Sequence, residues 1–157
     1  MRDEKRFYVI CQNIRSLFNV GSIFRTADAF GVDKIYLTGI TGMPPRAEIS
    51  KVALGAENFV PWEYVRQPAR LVRRLKSEGV HIIALEQSKA KTVFLNQFKP
   101  RFPLALILGY EPTGLPKGLL KLSDTIVEIK MYGKKESLNV GVAFGIAAKH
   151  ISDFRRV

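Results

Sequence analysis

FYVICQNIRSLFNVGSIFRTADAFGVDKIYLTG, residues 7–39, changes periodicity in its middle and then changes back. It opens on the continuous apolar run FYVIC (7–11) and closes on KIYLTG (34–39), both rich in β-branched and aromatic residues. Between them Val20, Ile23, Phe24, Ala27 and Phe30 recur at helical spacing, which predicts a helix over 19–30 with one face on a core. Asn19 is a suitable N-cap for it and Gly31 a suitable residue just past its end.

The same alternation runs through the rest of the chain. Apolar runs recur at HIIAL (81–85), LALIL (104–108) and TIVEIKM (125–131). Pro68 stands where the first turn of a helix belongs, Leu71, Val72 and Leu75 give that helix an inner face, and Gly79 stops it. A short helix is expected over 115–122 and a long one over about 138–154. No repeat, low-complexity tract or linker interrupts the pattern, so residues 1–157 are taken as a single domain. Strands that read as near-continuous apolar runs and alternate with helices predict an α/β fold, a mostly parallel sheet with helices on both faces.

The first and last helices share a peculiarity. Opposite its stripe, the first carries Gly21, Ser22 and Ala29 around a lone Arg25 where Lys and Glu would be ordinary. The last has one stripe of Val140, Ala143, Phe144, Ala147, Ile151 and Phe154 and places Val142 and Ile146 on its other side. A helix that is apolar on two faces is buried on two faces, one against the sheet and the other, we expect, against a second subunit. Gly21, Ala29, Gly141 and Gly145 would then permit close approach of the two protomers; packing inside one chain is the alternative use of such small residues.

Composition narrows the partners. The net charge of +11 points to a polyanion, and it is uneven: nine Lys or Arg lie between Arg66 and Arg101 against only Glu78 and Glu86. No amphipathic segment pairs that charge with exposed apolar residues, which favours nucleic acid over a membrane. No stretch has the length of a signal peptide or a membrane span, and a single cysteine, Cys11, excludes an internal disulfide. With only His81 and His150 beside it, no metal-ligand spacing is present, and a reduced, cytoplasmic setting is expected.

Open α/β sheets bind ligands beyond the C-terminal ends of their strands. CQNIRS after the first strand lacks the glycines of a dinucleotide fingerprint. Glycines gather instead in LGYEPTGLP (108–116), where Gly109 and Gly114 permit tight turns. After TIVEIKM comes MYGKKESLNV, which ends in Ser137 and Asn139 at the start of the last helix. Both loops are expected at the same edge.

Three segments carry a resemblance. N-x-R-x-x-x-N-V-G-x-x-x-R-T-A-x-A-F-G (13–31), L-G-x-E-x-x-G-L (108–115) and I-x-M followed by E-S-L-N-V (129–140) are similar, in order and spacing, to the three motifs of the SpoU-type (TrmH-like) RNA ribose 2′-O-methyltransferases of the SPOUT, or α/β-knot, class. The resemblance implies a deep C-terminal trefoil knot, an exception to the rule against knots. It implies S-adenosylmethionine bound bent in that knot, by position against Leu85, Gly109, Glu111, Ile129, Met131 and Leu138, and a homodimer built on the first and last helices. It places the catalytic arginine at Arg25 with Asn19, Glu111, Ser137 and Asn139 as supporting polar groups. Lys130 stands where the family usually has proline, and the catalytic domain is expected to recognise RNA without an appended RNA-binding domain.

Methyl transfer to a ribose 2′-hydroxyl needs alignment and charge stabilisation more than acid–base power, because the donor is already activated. Neither histidine is placed for such chemistry. A guanidinium is almost never neutral, so Arg25 is expected to clamp a phosphate and stabilise the developing alkoxide rather than accept the proton; a pair with Asp28 is the bland alternative. Asn13 and Arg15 in the first motif, and Arg66, Arg70, Arg73 and Arg74 in the basic window, are assigned to RNA, with Lys89, Lys91, Lys99 and Arg101 able to follow phosphates. Trp62, Tyr64 and Tyr110 are candidates to stack on a base. A tRNA is favoured over rRNA as a compact substrate; a non-catalytic RNA binder or a base-methylating relative are the competing functions.

Overall fold

The computed structural model describes residues 4–87, 91–109 and 113–155. Seven strands form one sheet in the order β3-β2-β1-β6-β4-β7-β5, and every neighbouring pair is parallel. Five are the predicted runs: β1 Phe7–Gln12, β2 Lys34–Thr38, β4 His81–Leu85, β6 Leu104–Leu108 and β7 Thr125–Glu128. The last ends three residues before the predicted Met131. Two strands were not predicted, β3 Trp62–Val65 and β5 Val93–Phe94, and both lie at sheet edges.

Alternation inside each strand divides the core. Phe7, Val9 and Cys11 of β1, Ile35 and Leu37 of β2, and Leu104, Leu106 and Leu108 of β6 face one layer of helices, α1 Leu17–Ala29, the unpredicted α2 Ala47–Ala53 and α5 Val140–Asp153. Ile10, Tyr36, Ala105 and Ile107 face the other, made by α3 Pro68–Ser77 and α4 Lys117–Leu122. The expected sheet with helices on both faces is therefore present, and all-parallel strands place every strand's C-terminal end at one edge.

Helix ends follow local chemistry, with one correction. Ser16, not Asn19, caps α1: its hydroxyl accepts from the Asn19 N–H at 3.2 Å, which puts Asn19 in the first turn. Gly31 (φ +68°) and Gly79 (φ +84°) follow α1 and α3 in the left-handed conformation as predicted. Asn139 caps α5, its side-chain oxygen accepting from Gly141 N–H at 2.9 Å and Val142 N–H at 3.3 Å.

The small residues of α1 and α5 also require correction. A Cβ on Gly21 would lie 2.6 Å from the Ile49 carbonyl oxygen, so this glycine lets α1 approach α2. A Cβ on Gly141 would lie 2.9 Å from Ser22 Oγ, and Gly145 faces Thr26, so these two seat α5 on α1. Gly21 and Gly141, two of the four small residues expected at a protomer contact, thus serve the alternative use, packing within the chain. Val142 and Ile146 are exposed at 53% and 43%, and Phe18 on α1 at 55%.

Candidate functional site

At the C-terminal edge of β4, β6 and β7 lies a cleft of about 600 Å³, counting space open to solvent. Leu85, Leu108 and Gly109 line it from the ends of β4 and β6, Ile129, Met131, Ser137 and Leu138 from the segment after β7, and Val140 and Ala143 from the start of α5. Five of the six positions expected to hold a cofactor, Leu85, Gly109, Ile129, Met131 and Leu138, therefore converge, and Ser137 with them. The sixth, Glu111, lies outside the described residues, as do Tyr110 and Lys89. The walls are mainly aliphatic. Gly109 is needed where it stands, because a Cβ there would meet the Leu115 side chain at 2.8 Å.

Sequence reading left out Glu86 and Gln87, which follow β4 directly and also line the cleft. Glu86 Oε2 accepts from the Leu115 N–H at 2.6 Å, and its Oε1 accepts from the Gln87 N–H at 3.1 Å. It sits so close to Gly114 (φ +66°) that any side chain there would collide with the carboxylate. The available signal was position: the rule that singles out residues after strands applies to Glu86 as much as to Gly109.

A second contact joins the early helix to the late turn. Asn139 Nδ2 donates to Asn19 Oδ1 at 3.1 Å, across 120 positions of sequence. Arg25 is exposed on α1 and does not line the cleft of its own chain. Among the described residues it forms no ion pair, so the alternative partner Asp28 is not used. Helical spacing puts it with Phe18 and Ala29 on the outward side of α1, while Ser22 faces α5.

The loop after β1 rests on a buried polar floor. The Thr38 hydroxyl donates to Gln12 Oε1 at 2.6 Å, and the Thr41 hydroxyl, 2.8 Å from the Thr38 carbonyl, accepts from Ile14 N–H at 3.0 Å. Asn13 (φ +53°) accepts from Ile40 N–H at 3.0 Å, which fixes the loop that carries the exposed Arg15. Beyond β3, Arg66, Arg70 and Arg74 line a shallow groove with Val65, Gln67 and Leu71, and Arg73 is exposed beside it. The Arg74 guanidinium lies 6.0 Å from the centre of the Tyr36 ring. Trp62 is half-buried on the core, and Tyr64, 37% exposed, donates its hydroxyl to the Gly39 carbonyl at 2.6 Å.

The histidines are elsewhere. His81 opens β4 at the opposite edge, where burial pushes its imidazole below the usual value, and His150 Nε2 lies 2.7 Å from the Phe98 carbonyl. Among the described residues no group of His, Cys, Asp and Glu could hold a metal ion, and no helix is long and apolar enough to cross a membrane.

Comparison with known proteins agrees with this geometry. The 23S rRNA (guanosine-2'-O-)-methyltransferase RlmB of Shewanella oneidensis is 36% identical over 140 residues, 89% of this chain and 56% of that protein. The crystal structure of the A. aeolicus TrmH/SpoU tRNA modifying enzyme superposes with a TM-score of 0.86 at 29% identity, covering 98% of this chain and 78% of that one. That of the AdoMet-bound rRNA methyltransferase from Sinorhizobium meliloti gives 0.88 at 29% identity, over 96% and 57%. The chain spans a little over half the length of the curated relatives it matches. The SpoU rRNA Methylase family matches residues 6–149. With the parallel sheet, the three motifs and the strand-end cleft in place, the chain belongs to the SpoU family of RNA methyltransferases and carries its α/β-knot fold.

Proposed function

We propose that this chain transfers a methyl group from S-adenosylmethionine to a ribose 2′-hydroxyl of RNA. The observation that carries the proposal is the convergence of Leu85, Gly109, Ile129, Met131, Ser137 and Leu138 on one cleft whose neighbouring cap residue, Asn139, is bonded to Asn19 of α1. Aliphatic walls suit an adenine and a methylene chain, and the bare backbone at Gly109 suits a ligand held by main-chain groups. When bound, the cofactor supplies a methyl group on a sulfonium, already activated for displacement.

The protein's share is alignment and charge. Asn19 and Asn139 fix the first turn of α1 against the cap of α5, and Ser137 borders the cleft as a polar group for the incoming ribose. Held between Leu85, Gly109, Ile129, Met131 and Leu138, the cofactor would supply the methyl group, and the ribose hydroxyl would give up its proton to phosphate or water. Arg25 clamps the adjacent phosphate and stabilises the oxygen as charge develops, the kind of preorganised donor whose removal costs about 10²–10³ in rate.

Because Arg25 leaves α1 on its outward side, the cleft it serves lies at a protomer junction. Phe18 on α1 and Val142 and Ile146 on α5 form the exposed apolar strip for a homodimer through these two helices. Ile146→Asp is expected to yield monomers in analytical ultracentrifugation; an unchanged dimer would move the interface elsewhere.

RNA follows the same sheet edge. The loops after β1, β2 and β3 and the start of α3 all lie there, so Arg15, Arg66, Arg70, Arg73 and Arg74 form a basic approach to the cleft, with Asn13 holding the loop under Arg15. A buried, unpaired Cys11 suits a reducing cytoplasm. Labelled methyl transfer to total RNA, followed by alkaline hydrolysis, tests the reading: 2′-O-methylation protects the adjacent linkage. Incorporation without protection would indicate a base methylase, and RNA binding without incorporation a binder.

A further inference from the structure

We infer that Glu86 makes the cleft prefer a cationic methyl donor over the neutral product left after transfer; this rests on the cleft being the S-adenosylmethionine site proposed above. Among the described lining residues Glu86 is the only charged one, in a wall otherwise made of aliphatic residues, glycines, Gln87 and Ser137. A charge in such a wall is screened less than one in open water.

The carboxylate is also held in place. Leu115 N–H binds one oxygen at 2.6 Å and Gln87 N–H the other at 3.1 Å, so it bridges the turn after β4 and the loop after β6. The close approach of Gly114 leaves it no room on that side. Among the described residues two donors occupy two of its four or so lone-pair positions.

The donor and its product differ in one respect that a fixed carboxylate can sense. S-adenosylmethionine carries a sulfonium cation; breaking the bond to the methyl group returns the electron pair to sulfur and leaves S-adenosylhomocysteine with a neutral thioether. The nucleoside and amino-acid ends are unchanged. A carboxylate beside the sulfur therefore strengthens binding before transfer and relaxes it afterwards, which favours product release.

Glu86→Gln removes the charge and keeps the shorter of the two anchoring bonds, because the amide oxygen still accepts from Leu115 N–H. Dissociation constants would be measured calorimetrically for S-adenosylmethionine, for S-adenosylhomocysteine, and for sinefungin, which places an ammonium where the sulfonium stands. Glu86→Gln should weaken the two cations by about tenfold and the thioether by less than about twofold, and Glu86→Asp should restore most of the difference. Equal weakening of all three, or none, overturns the inference, since the carboxylate would then serve the shared nucleoside or only the loop. If the Gln variant does not fold, the wild-type chain decides: sinefungin binding no tighter than S-adenosylhomocysteine overturns it. A wild-type chain that binds none of the three refutes the methyltransferase reading itself, a distinguishable failure.

Discussion

At the edge where β2 and β7 begin, Asp33 and Asp124 each turn a carboxylate onto a neighbouring strand, accepting from Phe7 N–H and Ile82 N–H at 2.8 Å. Their own amides donate to the carbonyls of the same two residues. Arg155 seals the first by binding Asp33 Oδ2 at 2.7 Å, the Gly31 carbonyl at 2.6 Å and the Lys5 carbonyl at 2.9 Å. Lys76 sits 3.3 Å from Asp124 at the second. At the opposite edge side chains tie loop to loop: Asn13 to Ile40, Glu86 to Leu115, Asn139 to Asn19. There Arg66, Arg70 and Arg73 form no ion pair among the described residues. One edge spends its polar groups on closing the fold; the other shapes a cleft and leaves positive charge for a ligand.

If this division holds, substitutions at the two edges separate stability from binding. Arg155→Ala should have the largest effect. The pair is only 13% and 14% exposed, and truncating one partner of a buried ion pair costs about 3–5 kcal/mol. For a domain of this size that is roughly a 6–20 °C fall in melting temperature by calorimetry, with cofactor affinity below the transition unchanged. A loss of affinity without a loss of stability would break the comparison.

Arg25→Ala should do the reverse. Turnover is expected to fall by about 10²–10³, while melting temperature and cofactor binding stay near wild type. If calorimetry instead showed weaker cofactor binding, the arginine would belong to the pocket and not to the chemistry.

The closed part of the molecule was easier to read than the open part, for physical reasons. Buried parallel strands announce themselves as apolar runs, so FYVIC, KIYLT, HIIAL and LALIL were visible without partners. WEYV was not, because an edge strand is half-exposed and carries Glu63, which pairs with Lys34 at 2.9 Å. The seven residues of α2 bury only Ile49 and Ala53, too short a stripe to show a period. Cap choice failed at α1 because Ser16 and Asn19 are both good N-caps, and three residues of register decide between them. In the site, Gly109, Gly114, Ser137 and Asn139 were legible from the sheet rule, whereas Leu85, Ile129, Met131 and Leu138 came only through the motif resemblance. Glu86 was not, since a glutamate one step past a strand looks solvated until the Leu115 N–H is brought to it from 29 residues away.

The basic approach offers a smaller effect with a distinctive signature. Replacing Arg70 and Arg74 together by Ala should weaken RNA binding by about tenfold at moderate salt. It should also make the log–log salt dependence shallower by about 1.4–1.8, the share of two phosphate contacts. Filter binding across a salt series measures both. A drop confined to one RNA sequence, with an unchanged slope, would mean that these arginines read bases.

The smallest effect probes how far solvent reaches beneath the open edge. Cys11 lies near the C-terminal end of β1, and its carbonyl lies 3.0 Å from the hydroxyls of both Thr38 and Thr41, under the loop that carries Arg15. Complete burial pushes its thiol from 9.0 up to about 12. Between those values the unfolded chain gives up the proton and the folded one keeps it, so this group's contribution is intact below pH 9 and declines as pH rises. The loss should be roughly 1 kcal/mol at pH 9.5, read as a difference in urea midpoint between wild type and Cys11→Ala that narrows with rising pH. The same burial predicts that a thiol reagent at pH 8 modifies Cys11 only through opened forms of the chain, at a rate that rises with denaturant. Rapid modification in native buffer, unchanged by denaturant below the unfolding transition, would show that the polar floor of Gln12, Thr38 and Thr41 admits solvent and that the cleft edge is open well into the sheet.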